Sequence, residues 1–241
     1  MQNFFKGVFL FLVIFKFSFS FQIAPTFFEK RMDAGGGYQE FILYNNSDKT
    51  QRFKVTAFPG TGGYNGHMDK WIEFNPKIIT IKPKSQSTLK VYAKSPKGTP
   101  EGEYSTFLNF RSVPVPDLVK DDNKSMAPAA RMGLSVNMEV IGYVGNLKPK
   151  LDITNLKVSE NEAGKAVITF NVKNNTPKRG IWYSIEIMKG NESFESVEKG
   201  RISIGETDEI KLISEDLRKG DVVGIRLRDS STYEEISKKE L

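Results

Sequence analysis

The chain has 241 residues, with 35 basic and 29 acidic side chains, one histidine and no cysteine. The formal charge of +6 is spread along the chain without a basic block, which gives little support to nucleic-acid binding. The lack of cysteine excludes disulfides, Cys–His catalysis and zinc sites built from cysteine and histidine, so the core alone must stabilise the protein.

Residues 1–20 predict a secretory signal peptide that is cleaved after Ser20. Lys6 precedes a short apolar run, and Ser18 and Ser20 supply the small residues that a signal peptidase prefers. The run is shorter than the ~20 residues needed to span a bilayer, and Lys16 follows it. A retained N-terminal anchor is the alternative. Cleavage would remove two lysines and leave 33 basic and 29 acidic residues.

Residues 21–145 predict an antiparallel β-sandwich. Apolar side chains alternate in stretches such as YQEFILYN, QRFKVTAF and TLKVYAK, which is the pattern of strands with one buried face. Clusters rich in glycine, proline and asparagine separate them at the spacing typical of sandwiches. One segment, 112–130, contains several prolines and the polar run KDDNKS, and it predicts a long loop.

The strand after this loop has an unusually regular pattern in the sequence RMGLSVNMEVIGY (131–143). Every second residue is apolar, so one face of the strand is apolar and the other is not. Two interpretations remain open, because this face either covers the domain's own core or is presented to another protein. The residues are Met132, Leu134, Val136, Met138 and Val140.

A second β-sandwich is predicted for residues 146–241. The sequence GNLKPK (145–150) has the glycine, asparagine and proline of a linker. Beyond it, stretches such as KAVITFNV, IWYSIEIM and DEIKLIS again alternate, with more charge on the second face. The predicted fold class is therefore all-β, with two immunoglobulin-like sandwiches in tandem after a signal peptide.

The sequence contains no recognisable catalytic constellation. The single histidine, His67, lies in the glycine-rich turn GTGGYNGHMDKW, and the glycine runs lack the GK[ST] ending of a phosphate-binding loop. We therefore predict that the protein is not an enzyme, and we expect no cofactor, no metal site and no small-molecule substrate.

The stretch EYSTFLNFRSVPV resembles the signature of the periplasmic pilus-chaperone (PapD-like) family. In that signature a glutamate is followed at fixed spacing by an aromatic residue, an asparagine, an apolar residue and an apolar–proline pair. The stretches IAPT, FILYNNSD and FNPKIITIKPKSQSTLKVY also resemble first-domain strands of the family, over about residues 22–145. The signature positions are Glu103, Phe107, Asn109, Phe110, Val113 and Pro114.

The resemblance implies a periplasmic chaperone that caps pilus or fimbrial subunits. In this family the last strand of the first domain is lent to a subunit whose sandwich lacks one strand, and the apolar residues at 132–140 would fill the subunit's pockets. The implied partner is an exported β-rich subunit, with an outer-membrane usher as a further partner. The alternative is an exported structural or adhesive protein of two immunoglobulin-like domains, at the cell surface and without chaperone activity.

Two positions depart from the family pattern. The family clamps the subunit's terminal carboxylate with an arginine and a lysine, and the corresponding places here are held by Phe27 and Val140. Lys30, Arg31 and Arg131 are the candidate substitutes. The sequence therefore predicts a carboxylate anchor that is either altered or lost. The second domain resembles the family only in position and sandwich character, and a fibronectin-like module is equally consistent.

Overall fold

The structure is a computed structural model that describes residues 21–61, 64–114, 133–190, 192–222 and 224–241. The predicted signal peptide, most of the predicted loop at 112–130, Arg131 and Met132 lie outside the described residues.

The described residues form seventeen strands and one short 3-10 helix, Lys219–Asp221. The strands are β1 (Phe21–Ala24), β2 (Glu29–Arg31), β3 (Gly37–Asn45), β4 (Gln51–Pro59), β5 (Gly66–His67), β6 (Ile72–Asn75), β7 (Ile78–Ile81), β8 (Ser85–Ala93), β9 (Gly102–Ser112), β10 (Ser135–Val144), β11 (Leu151–Glu160), β12 (Ala166–Asn174), β13 (Ile181–Lys189), β14 (Glu192–Ile202), β15 (Thr207–Ile213), β16 (Gly224–Asp229) and β17 (Glu235–Glu240).

The first ten strands form a sandwich of two sheets. One sheet has the order β1-β3-β8-β6, and the other has the order β2-β10-β9-β4-β7, with the short β5 pairing with β9. The N-terminal segment therefore belongs to both sheets, because β1 pairs with β3 and β2 pairs with β10. The apolar faces of the two sheets enclose one core, in which side chains such as Phe41, Phe53 and Phe110 are buried.

The last seven strands form a second sandwich with its own core. Its sheets have the orders β11-β12-β15 and β14-β13-β16-β17, and Phe170, Tyr183 and Leu227 are buried between them. Residues 145–150, which join β10 to β11, contain no strand. The predicted fold class, all-β with two immunoglobulin-like sandwiches in tandem, is confirmed.

Strand burial follows the sequence alternation. In β12, the residues Ala166, Ile168, Phe170 and Val172 are all buried, and the residues between them are more exposed. This is the period-two consequence of a pleated strand with one face on a core. Within the described ranges, the structure contains no helix that is long and apolar enough to cross a membrane.

Candidate functional site

Strand β10 has a neighbour along its whole length on one side only. It pairs with β9 in antiparallel register from Ser135 to Val144. On its other side, the three-residue strand β2 pairs in parallel with Ile141–Tyr143. Among the described residues, no strand pairs with this second side of β10 from Ser135 to Val140. We call this segment the open edge.

The hydrogen bonds show which backbone groups of β10 point away from β9. The amide of Ser112 on β9 donates to the carbonyl of Leu134, whereas the amide of Ile141 donates to Phe28 and the carbonyl of Tyr143 accepts from Met32. In an extended strand, successive residues direct their backbone groups to opposite sides. Even-numbered residues therefore bond to β9, and the open edge carries the outward N–H and C=O groups of Ser135, Asn137 and Glu139.

The apolar face of β10 is buried to a degree that falls steadily toward its N-terminal end. Val140 is 0% exposed and Met138 is 7% exposed, so both belong to the domain's own core. Val136 is half-buried against that core, and Leu134 is 43% exposed. Buried side chains offer no surface to a partner, so the proposal of a partner-binding face is restricted to Leu134 and Val136. Met132 lies outside the described residues.

Polar side chains on both faces of the sheet fasten the open half of β10 to β9, with Asn109 on the face opposite the core. The side-chain amide of Asn109 donates to Oγ of Ser135 at 2.8 Å and to Oδ1 of Asn137 at 2.7 Å. The hydroxyl of Ser112 accepts from the amide of Leu134 at 2.8 Å. The strand is thus held in a fixed register by β9, while its other edge pairs with no strand of the described ranges between Ser135 and Val140.

The signature residues occupy different places around this strand. Asn109 makes the cross-strand bonds just described, and Phe107 packs against Phe58 with ring centroids 5.4 Å apart on the outer face of the sheet. Pro114 is exposed beyond the end of β9. Glu103, at the start of β9, is buried at the boundary between the two domains.

Buried ion pairs join the two domains. Glu29 on β2 accepts from Nε of Arg179 at 3.1 Å and from the backbone amide of Trp182 at 3.3 Å. The guanidinium of Arg179 also donates to the carbonyl of Leu147 in the linker at 2.9 Å, and lies 3.6 Å from the carboxylate of Asp229. One arginine of the second domain therefore contacts the first domain, the linker and its own domain.

Glu103 forms a second set of contacts between the two domains. Its carboxylate accepts from the guanidinium of Arg201 and, at 2.8 Å, from the backbone amide of Gly180. The ring of Tyr64 lies 5.6 Å from the same guanidinium. We refer to Glu29, Glu103, Arg179, Arg201 and Asp229 as the interdomain cluster.

The cluster contains three carboxylates and two guanidinium groups; four of the five side chains are almost fully buried, and that of Arg201 is 13% exposed. Burial raises the pKa of Glu29 to about 7, because the loss of hydration outweighs the attraction of Arg179 and Arg201, and the neighbouring Asp229 adds to the rise. Burial sets the direction of this pKa shift, and the excess of one carboxylate over the two guanidinium groups of the cluster acts in the same direction.

Phe27 and Val140, at the family's clamp positions, carry no charge into the cleft between the domains. The ring of Phe27 stacks on Trp182 with centroids 4.9 Å apart, and Val140 is in the core. Arg31 lines a cleft of about 340 Å³ beside the linker, but its guanidinium is paired with Asp33 at 2.8 Å. Lys30 lies half-buried on β2, and Arg131 is outside the described residues.

Sequence reasoning missed four of the five cluster residues. Glu29, Arg179, Arg201 and Asp229 lie in different strands and turns, up to two hundred positions apart, and no local pattern relates them. Glu103 is the one member of the cluster that the sequence singles out, because it is the glutamate of the family signature. Within the described ranges, no group of histidine and carboxylate side chains could hold a metal ion.

The fold and the open edge together define a tandem immunoglobulin-like sandwich protein in which one edge of the last strand of the first domain has no partner strand among the described residues. No protein-family model matches the sequence, and no curated protein matches it. The chain is similar in structure to the YadV chaperone, at 12% identity and a TM-score of 0.44, covering 92% of this chain and 100% of that chain.

Two further solved structures resemble the chain. One is the CupB2 chaperone of Pseudomonas aeruginosa, at 14% identity and a TM-score of 0.41, covering 89% of this chain and 96% of that chain. The other is the CsuC–CsuE complex of a chaperone and a tip adhesion subunit from Acinetobacter baumannii, at 17% identity and a TM-score of 0.40, covering 91% of this chain and 97% of that chain. At these identities and scores, the similarity assigns no function.

Proposed function

We propose that the protein is a periplasmic chaperone that binds an exported, β-rich pilus or fimbrial subunit by lending it the open edge of β10. The observation that carries the proposal is the open edge itself, whose outward backbone groups at Ser135, Asn137 and Glu139 have no strand beside them in the described structure. A subunit that lacks one strand also has backbone N–H and C=O groups without a partner. Pairing the two edges forms hydrogen bonds for the backbone groups of both proteins.

The chemistry of the open edge supports this use. Exported proteins protect sheet edges with charge, as β17 does here with Lys238, Lys239 and Glu240. The open edge carries only one charged residue, Glu139, and its carboxylate accepts from the hydroxyl of Thr61 at 2.6 Å. An edge whose one charged side chain is already held by Thr61 is suited to adding a strand.

The presented apolar surface is short. Leu134 and Val136 have surface to offer, whereas Met138 and Val140 do not. Backbone hydrogen bonds along 135–140 therefore supply most of the affinity for the subunit. The side chains of Leu134 and Val136 enter pockets of the subunit and supply the specificity. The family's clamp positions hold Phe27, which stacks on Trp182, and the buried Val140, whereas Arg31, Lys148 and Arg179 line the cleft beside the linker. An outer-membrane usher is a further proposed partner, on the sequence resemblance alone.

The proposal is tested by capturing the partner from the native cell. Tagged wild-type protein is expected to retain an exported, β-rich subunit in a 1:1 complex, identified by mass. Leu134→Glu places a charge on the presented face and is expected to reduce capture at least tenfold. The matched control is Ile78→Glu, because Ile78 is 56% exposed on β7, at the opposite edge of the same sheet. Equal capture by both variants would contradict the proposal.

A second function, that of an exported structural or adhesive protein, is favoured by one observation. Met138 and Val140 pack in the core of their own domain, as expected for an ordinary sandwich strand. On this alternative, the wild-type protein captures no subunit, and Leu134→Glu alters the exposed surface without changing capture. Circular dichroism and thermal unfolding of Leu134→Glu separate a binding defect from a folding defect.

A further inference from the structure

The interdomain cluster has more negative than positive groups. Three carboxylates, Glu29, Glu103 and Asp229, share two guanidinium groups, Arg179 and Arg201, and both glutamates are 2% exposed. A buried excess charge costs free energy, since neither water nor a counterion compensates it. Adding one proton to a carboxylate would make the cluster neutral.

The contacts identify Glu29 as the carboxylate that takes the proton. Within the described ranges, Glu103 is the one carboxylate in hydrogen-bond range of the guanidinium of Arg201. Glu29 and Asp229, by contrast, share Arg179. The carboxylate of Asp229 is further stabilised by Ser231 and Thr232, whose backbone amides donate to it at 2.7 and 3.1 Å. Among the described residues, Glu29 has one other donor, the amide of Trp182.

The cluster also lies where the domains meet. Glu29 and Glu103 belong to the first domain, and their donors Arg179, Gly180 and Arg201 belong to the second. Separating the domains would expose Glu29 and Glu103 to water, because their donors lie across the boundary, and would remove the cost of the excess charge. The charge of the cluster is therefore coupled to contact between the domains.

We propose that the interdomain cluster is a proton-dependent lock, which holds the two domains together when it carries an added proton and loosens when that proton is lost. The inference does not depend on strand lending. The charged and titratable groups around Glu29 are Arg179, Arg201, Asp229, Glu103, Tyr143 and Tyr64.

The direction of the pH dependence follows from linkage. Glu29 has a pKa of about 7 when the domains are in contact and an ordinary value of 4.5 when it is hydrated. Between these values the joined form binds more protons than the separated form, so contact is favoured at low pH and weakens as pH rises toward 7. The ratio of joined to separated molecules is expected to fall by up to about a hundredfold between pH 5 and pH 8.

Distances between spin labels on the two domains test the lock. The chain has no cysteine, so Lys97→Cys and Lys211→Cys, at exposed sites in the first and second domains, can be labelled specifically. We expect a narrow distance distribution at pH 5.5 and a broader one at pH 8.5. Glu29→Gln, which cannot lose the proton, is expected to stay narrow at both pH values. Glu73→Gln, an exposed carboxylate on β6, serves as the matched control and should behave like wild type.

A second variant, Asp229→Asn, tests the lock independently if Glu29→Gln does not fold. Asp229→Asn removes one neighbouring negative charge, and it is expected to shift the midpoint of the broadening to lower pH by about one unit. The lock is overturned if the wild-type distribution is the same at pH 5.5 and 8.5, if Glu29→Gln broadens as wild type does, or if Asp229→Asn leaves the midpoint unchanged.

Discussion

The side-chain amide of Asn109 on β9 donates to Oδ1 of Asn137 on β10 across 2.7 Å. The two residues face each other directly in the strand register, and the same amide also donates to Ser135. The contact fixes β10 to β9 without using any backbone group of the open edge. A strand that is held on one side, and that has no partner on the other side among the residues the structure describes, is the physical basis of the proposed function.

Removing this contact should loosen the open half of β10. Asn109→Ala loses two side-chain hydrogen bonds, each with a net stabilisation of about 1 kcal/mol or less at this half-exposed site. We expect the amides of Val136 and Met138 to exchange with solvent about five- to tenfold faster. The amide of Leu89 in β8 is the internal control, and unchanged exchange at Val136 and Met138 would contradict the assigned role.

The outward amide of Asn137 can be removed selectively. Proline at an edge-strand position whose N–H faces outward leaves the inner ladder intact, so Asn137→Pro is expected to abolish partner capture while the protein stays folded. Asn137→Ala keeps the amide and lacks only the side chain, so its capture should fall less than threefold. Comparable capture by the proline and alanine variants would show that this backbone group is not used.

The burial gradient along β10 predicts unequal effects on stability. Val140→Ala should destabilise the first domain by about 2 kcal/mol, because its side chain is fully buried in a packed core. Leu134→Ala should cost much less, about 0.5 kcal/mol, because that residue is 43% exposed and its removal leaves no closed cavity. Calorimetric melting of the two variants measures the difference, and equal destabilisation would contradict the gradient.

Arg179 should be essential to the interdomain contact. Arg179→Ala leaves the carboxylates of Glu29 and Asp229 buried without their shared cation, which typically costs about 3–5 kcal/mol. We expect the two domains to melt as separate transitions in this variant. A melting profile identical to that of wild type would mean that the domains are held together elsewhere.

The strands of the fold were predictable because their pattern is local. The alternation of Phe41 and Leu43 in β3, or of Leu89 and Val91 in β8, reports burial directly, since successive side chains lie on opposite faces. The same reasoning could not settle the apolar face of β10. Its alternation is continuous from Leu134 to Val140, and only the packing of the opposite sheet determines which of these residues are covered.

The interdomain cluster could not have been predicted from sequence. Glu29 and Arg179 are 150 positions apart, and their neighbours on the chain carry no common pattern. What brings them together is the orientation of two domains, which local periodicity does not encode. Glu103 was marked by a resemblance, but its contact with Arg201 needed the structure.

Hydrogen exchange at the amides of Ser135, Asn137 and Glu139, compared between the free protein and the purified complex with its captured subunit, tests the central claim most directly. The account predicts that these three amides exchange rapidly in the free protein and become strongly protected in the complex, because a second strand takes up their outward hydrogen bonds. Rapid exchange of all three in the complex would contradict it.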